Sequence, residues 1–412
     1  MRWPYRPKTP RLLPKMLTDS PDRALLVGHR EDMETGAPAA KSDPPGCAGA
    51  RHTMRTLPIR VNPVAEESLD SWLEALASRT SSTWGEILQA TGFFDARGNT
   101  ASYWAARAIV SLTAEQLDVV SHCTGVRPRR LREMTLQPWI KDTSSQRRSV
   151  ASLRVTGSRF CPVCLRERGG RWRVWWRLRW AFACPAHACL LADTCSVCGG
   201  LQRTAPPRFR DVPNLGSCSR VIPQSGQLRR CGGSLSSVRV LCLDNDLAIE
   251  VQRELLCVLH AGRVSGGIYA STPVPSAMFA RDLRVLGQWM LRHGRAHDVA
   301  ARISDQLWQQ YALRAANDVF RPLITNHGAR MTSSSPAADA AIACMAAPIL
   351  QSADIESAAK SLQWVTSSMC RRGLSPSKRC NYWPGTTSPA LDALRRTVQC
   401  ANDRVGRTRP SP

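Results

Sequence analysis

The stretch Arg159–Gly200, RFCPVCLRERGGRWRVWWRLRWAFACPAHACLLADTCSVCGG, decides how the rest of the chain is read. It holds three short pairs of metal-binding residue types: Cys161/Cys164, Cys184/His187 and Cys195/Cys198. Cys218 and Cys231 follow a little further on, and the pattern C-x2-C-x19-C thereby occurs twice in succession. Eight such residues make two tetrahedral zinc sites, and a site with four protein ligands keeps no open position for water. Two structural Zn(2+) ions are therefore expected, each contributing on the order of 10 kcal/mol to folding. Sequential pairing gives Cys161, Cys164, Cys184 and His187 to one ion, and Cys195, Cys198, Cys218 and Cys231 to the other. A cross-braced scheme would exchange partners; the repeated nineteen-residue spacing favours the sequential one. Cys189, two residues past His187, competes as a ligand.

Between the first two pairs runs RWRVWWRLRWAF, in which parity is kept from residue 171 to 182. Trp172, Val174, Trp176, Leu178, Trp180 and Phe182 hold the even positions; Arg171, Arg173, Arg177 and Arg179 hold odd ones, interrupted by Trp175. Alternation of this kind suits a strand with one apolar and one cationic face. The tryptophans are read as the core of a small zinc module, and the four arginines as a candidate phosphate-contacting face.

The chain of 412 residues has room for two or three domains, and its formal charge is +24. An excess of this size favours an anionic polymer or a membrane surface as partner. No run of eighteen apolar residues is present to span a bilayer. The basic opening MRWPYRPKTPRLLPKMLTDS lacks the apolar segment of a secretory signal. Sixteen cysteines could suggest a disulfide framework, but the two C-x2-C pairs, the missing signal and the chain length point to metal binding in a reducing cytoplasm. Double-stranded DNA is the leading partner, with no membrane and a nucleoid-associated location.

Residues 1–53 carry scattered Pro, Gly and charge without an apolar period, and are expected to be a disordered or non-native extension; Met54 is a candidate start. A helical region is expected over 54–140. Leu69, Trp72, Leu73 and Leu76 recur at i, i+3, i+4 and i+7. Residues 111–139 then read as a helix-turn-helix. Thr113 and Gln116 form a capping box, Thr124-Gly125 breaks the first helix, and Pro128 opens the second. Leu131 and Met134 would face inward, leaving Arg127, Arg129, Arg130 and Arg132 toward a DNA groove and its phosphates. The two-zinc module is placed at 159–233 and a helical region at 240–325, where Cys242 and Cys257 are read as buried. Residues 326–412 read as a low-complexity, flexible tail, with one helix expected near 353–369. The fold class expected is mainly α with small β: a helix-turn-helix region, a two-zinc ribbon or knuckle module, and a helical C-terminal region.

These pieces, in this order, resemble the TniQ family: LPIRVNPVAEESLDSWLEALA, then LTAEQLDVVSHCTGVRPRRLREMTL, then the CPVCL…CPAH…CSVCG stretch. The resemblance covers roughly 55–300. It implies a non-enzymatic adaptor that selects the target site of transposition and recruits an AAA+ ATPase, which brings in the transposase complex. Some family members bind attachment-site DNA; others dock on a CRISPR ribonucleoprotein. The ATPase contact is implied around Pro58 to Trp72. The alternative is a zinc-stabilised protein or RNA interaction module that docks on a ribonucleoprotein without sequence-specific DNA readout. An enzyme is not expected. The chain has no Gly-Lys dipeptide, hence no P-loop, and no H-E-x-x-H, so no catalytic residues are assigned.

Overall fold

The computed structural model describes residues 56–93, 108–139, 154, 157–224, 227–243, 246–317, 335–373 and 387–407. All of these fall within one compact unit, Arg55–Pro412. The extension expected over 1–53 lies outside the described residues.

The chain enters α1 (Leu69–Thr80) and α2 (Trp84–Ala90). Leu69, Trp72, Leu73 and Leu76 are all buried, as their spacing requires. Two further helices, α3 (Ala114–Thr124) and α4 (Pro128–Glu133), close over the same apolar cluster through Leu117, Val120, Leu131 and Met134. Local chemistry sets their boundaries. The Thr113 hydroxyl accepts from the Gln116 N–H (3.2 Å), and the Gln116 carbonyl oxygen accepts from the Thr113 N–H (3.0 Å), which satisfies two orphan donors. Gly125 ends α3 at φ 72°, and Pro128 opens α4 where a missing N–H costs nothing.

The middle of the chain has little regular structure. A short helix α5 (Pro162–Glu167) begins inside the first Cys pair; β1 (Ala183–Cys184) pairs with β2 (Cys189–Leu190), and β3 (Val221–Gln224) pairs with β4 (Gln227–Arg230). Both hairpins are antiparallel, with Ala183 opposite Leu190 and Val221 opposite Arg230. The alternating tryptophan–arginine run is not the strand expected of it: Val174–Arg177 is a 3₁₀ turn, and every residue from 174 to 178 is buried. A strand needs a neighbour for its backbone. Here Trp172 O accepts from Ser68 N, and Val174 N donates to Glu66 O, so the run folds around the N-terminus of α1.

Beyond the metal-ligand region lie α6 (Leu247–Ala261), a two-residue ladder of β5 (Arg263–Val264) with β6 (Val274–Pro275), and α7 (Ser276–His293). Then come α8 (Ala296–Ala300), α9 (Asp305–Asn317), α10 (Pro336–Leu350), α11 (Ile355–Ser361), α12 (Gln363–Arg371) and α13 (Pro389–Arg407). The flexible tail expected over 326–412 is therefore corrected for the described residues 335–373 and 387–407, which are largely helical. In α10, PAADAAIACMAAPIL, thirteen of fifteen residues are buried, so this helix lies at the centre of the C-terminal core. A helix apolar on all sides is a buried helix, and alanine lets its neighbours approach closely. Cys242 and Cys257, read as buried, are exposed. Among the described residues no helix is long and apolar enough to cross a membrane.

The tryptophan run, the metal-ligand region and helices α6 to α13 share one apolar core, distinct from the cluster under α1 to α4.

Candidate metal centres

Cys161 caps the N-terminus of α5, its sulfur accepting from the Cys164 N–H, so one turn of helix aims both thiols at the same point. The β1–β2 turn brings Cys184 and His187 to that point. The His187 Nδ1 lies 3.2 Å from the Cys164 sulfur and 3.5 Å from those of Cys161 and Cys184. The Cys164 and Cys184 sulfurs are 3.7 Å apart. A tetrahedron drawn with Zn–S near 2.3 Å and Zn–N near 2.0 Å has edges of about 3.8 Å between sulfurs and about 3.5 Å from sulfur to nitrogen. The cluster has those dimensions, and all four donors can hold a tetrahedral metal ion. On the far side of the imidazole, Nε2 donates to Glu167 (2.9 Å), which leaves Nδ1 as the lone pair facing the sulfurs. Hydrogen bonds from Cys161 and then Cys164 drive the Cys184 thiol far below its ordinary range, while those with Cys164 and Cys184 push the Cys161 thiol up. At Cys164 the hydrogen bond with Cys161 lowers the thiol, but the one with Cys184 and burial outweigh it and push it up.

The second cluster joins Cys195, Cys198, Cys218 and Cys231. Its sulfur separations, 3.8 Å for Cys195–Cys231 and 3.7 Å for Cys198–Cys218, again match the edge of a zinc–thiolate tetrahedron. The grouping is the sequential one. Cys189 stays outside both clusters, its sulfur 3.8 Å from that of Cys161. Gly170 and Gly216 hold the two lobes close. Gly170 sits at φ 81°, and a Cβ there would lie 2.4 Å from the Gly216 nitrogen.

The arginines of the run do not form the solvent-facing cationic surface expected of them. Arg171 donates to Glu67 (2.7 Å) and Arg177 to Asp70 (2.5 Å), while Arg173 pairs with Glu66. Arg179 is half-buried, and its carbonyl accepts from Arg159. A guanidinium that must lie inside takes a carboxylate with it, because an unpaired buried charge costs several kcal/mol. Sequence reasoning missed these carboxylates, and also Arg203, which bridges Asp70 and Glu74 at 2.5 Å each and stacks on Trp172. Burial would raise the Asp70 pKa, but the Arg177 and Arg203 charges overcome it and hold the carboxylate well below its usual range. At Glu67 and Glu74 burial wins instead, and both are pushed up. A further missed pair, Arg159–Asp339, is buried and ties the metal-ligand region to α10.

The α3–α4 arginines behave differently. Arg127, Arg129 and Arg132 are exposed, with Arg129 salt-bridged to Glu133 at 91% side-chain exposure. Arg130 is half-buried. It donates to the Val64 carbonyl (2.6 Å) and pairs with Glu133 (3.1 Å), so it fastens α4 to the entering chain.

No curated protein matches the chain. Residues 58–191 match the model of the TniQ family, a non-catalytic adaptor family associated with transposition. The matched segment runs from the chain entering α1, through α3 and α4, to Leu191, one residue past the β1–β2 hairpin, and includes the first four-donor cluster. Over that segment the chain is similar to the TniQ family.

Proposed function

We propose that this chain is a DNA-binding target-selection adaptor of transposition, without catalysis of its own. It links target DNA, or a targeting complex, to an AAA+ ATPase and the transposase. The observation that carries this reading is the TniQ match over 58–191, which includes α3, α4 and the first four-donor cluster. Zn(2+) is the proposed ion at both clusters, held by Cys161, Cys164, Cys184 and His187 and by Cys195, Cys198, Cys218 and Cys231. With four protein donors around each ion, the metal braces the fold and offers no open coordination position for a reaction.

Helices α3 and α4 serve as the helix-turn-helix, with exposed Arg127, Arg129 and Arg132 as the DNA contacts. Arg130 acts as a positioning residue through Val64 and Glu133. The ATPase contact is assigned to the segment from Pro58 toward Trp72. Ile59 is 42% exposed there, whereas Trp72 is buried and belongs to the core. A second reading, a protein or RNA interaction module, draws support from one observation: Arg171, Arg173 and Arg177 are engaged with carboxylates, which removes three cations from the DNA-facing count.

Fluorescence anisotropy of the full chain on a labelled duplex, repeated over a salt series, separates the two readings. An adaptor that neutralises phosphates gives log affinity falling linearly with log salt, by about 0.9 per phosphate contact. Arg129→Ala with Arg132→Ala should lower that slope by about 2 while two metals per chain remain. Binding that ignores salt, or single-stranded RNA outcompeting duplex, would overturn the DNA reading.

A further inference from the structure

The second four-cysteine lobe lies beyond the segment that matches the family. From Cys195 to Val240 the sequence holds seven arginines and no lysine, against a single carboxylate, Asp211. Asp211 is already neutralised by Arg230, and Arg203 is taken by Asp70 and Glu74. The other five arginines, among them Arg210, Arg220 and Arg229, are exposed. Among the described residues, no carboxylate pairs with Arg220 or Arg229.

The projecting part of this surface is the β3–β4 hairpin. Isolated two-stranded hairpins are marginal in water, so this one needs an anchor. Metal ligands supply it at both ends. Cys231 follows β4 directly and donates its N–H to Arg220 O, while Cys218 exchanges backbone hydrogen bonds with Gly232 and Gly233. Register then distributes the side chains. Ile222 faces Arg229 across the ladder, and Pro223 faces Leu228. Opposed residues share a face, and successive residues alternate. Arg230 is thus turned to Asp211 at the base, while Arg229 stands on the other face, donating to the Gln227 side-chain oxygen at 3.3 Å. Leu228 is 68% exposed, on the face opposite Gln227 and Arg229. Four residues at about 3.4 Å rise give the ribbon a reach of about 10 Å. The major groove of DNA is about 8.5 Å deep and admits a two-stranded ribbon.

We propose that the β3–β4 hairpin of the second metal lobe is a duplex-DNA arm that enters the major groove. Arg229 and Gln227, which share one face of the ribbon, meet base edges, and Arg220 and Arg210 meet phosphates on either side. Arginine and glutamine are the side chains that read guanine and adenine edges by paired hydrogen bonds. This deepens the proposed function and rests on its DNA reading. It assigns to the second lobe a DNA contact separate from that of α3 and α4.

The test uses the full chain in three forms: wild type, Arg220→Ala/Arg229→Ala, and Gln227→Ala. Each is first checked for two zinc ions per chain and an unchanged melting temperature. Anisotropy on a random-sequence duplex across a salt series should then give the double variant a salt slope shallower by about 1, for the phosphate cation lost at Arg220. Selection of preferred duplexes from a random pool should return a narrower motif for wild type than for Gln227→Ala or the double variant. A double variant with wild-type slope and affinity would overturn the arm and leave the α3–α4 reading standing. Failure of the wild type to bind any duplex would overturn both. Retained metal with binding confined to RNA hairpins would assign the arm to RNA and sink the DNA proposal.

Discussion

The two metal lobes share one ligand spacing and live in different surroundings. In the first, Cys161, Cys164 and Cys184 are buried in the main core beside Phe160, Trp172, Trp176 and Phe182. In the second, Cys198 and Cys231 are only half-buried, and Val197, between the ligands of its first pair, is 67% exposed. The nineteen residues inside each pattern account for the contrast. LRERGGRWRVWWRLRWAFA offers four tryptophans to bury, whereas GGLQRTAPPRFRDVPNLGS offers prolines, glycines and arginines. Spacing determines where a metal can bind; the spacer determines whether that metal becomes part of the core or a platform on the surface.

The sharpest way to break this comparison is to remove one ligand from each lobe. Cys184→Ser should forfeit the first ion, on the order of 10 kcal/mol of apparent binding free energy, which exceeds or equals the whole stability of a typical domain. The chain should lose its cooperative melt and its helical circular dichroism. Cys198→Ser should cost one ion per chain by elemental analysis while the α6–α13 helical signal persists. With a chelator, wild type should release metal in two phases, the surface ion first. Equal collapse in both variants, or a single release phase, would mean that the lobes are one unit and the contrast is false.

Next in size are the ion pairs that join α1 to the first lobe. Arg177→Met leaves Asp70 in a low-dielectric site with only Arg203, and breaking such a buried pair costs about 3–5 kcal/mol. The pH dependence follows from the depressed Asp70 pKa. Its stabilisation is fully present above the ordinary aspartate range, about pH 4, and is lost as pH falls through that range toward the lower folded value. The gap between wild type and Arg177→Met, followed by urea melts, should therefore be constant near neutrality and narrow below about pH 4. A gap independent of acid would show that the arginine acts by packing alone. Arg230→Met at the surface pair with Asp211 should cost about 1 kcal/mol or less.

Much of this was legible in the sequence, and the limits have physical causes. The two four-donor groupings follow from spacing, because a tetrahedral ion would tolerate few chain geometries. The ends of α3 and α4 were visible in Thr113, Gln116, Gly125 and Pro128, since capping is local. The arginine run was misjudged because local alternation carries no information about partners a hundred residues away. Glu66, Glu67 and Asp70 decide where those guanidiniums point, and they belong to another segment. Residues 336–350 were misjudged for the opposite reason: small residues look like low complexity until a neighbouring helix, α7, needs to come close. Exposed Arg220, Arg229 and Leu228 carried no periodic signal at all, because a four-residue strand is too short to show one.

The smallest expected effect sharpens the comparison from the side of packing. Trp176 is fully buried in the first lobe, touching Trp172 and Trp175 edge to face at 5.8 and 6.1 Å between ring centres. Trp176→Ala removes that contact area and leaves a cavity, a loss of about 3–5 kcal/mol. Leu228 is nearly as apolar, but it stands in water at the tip of the second lobe. Leu228→Ser should change the unfolding free energy by less than about 0.5 kcal/mol in urea melts. If the surface substitution destabilised the chain as strongly as the buried one, Leu228 would be packed against protein in solution. The exposed lobe would then be an extension of the core, and the distinction between the two metal sites would reduce to their order along the chain.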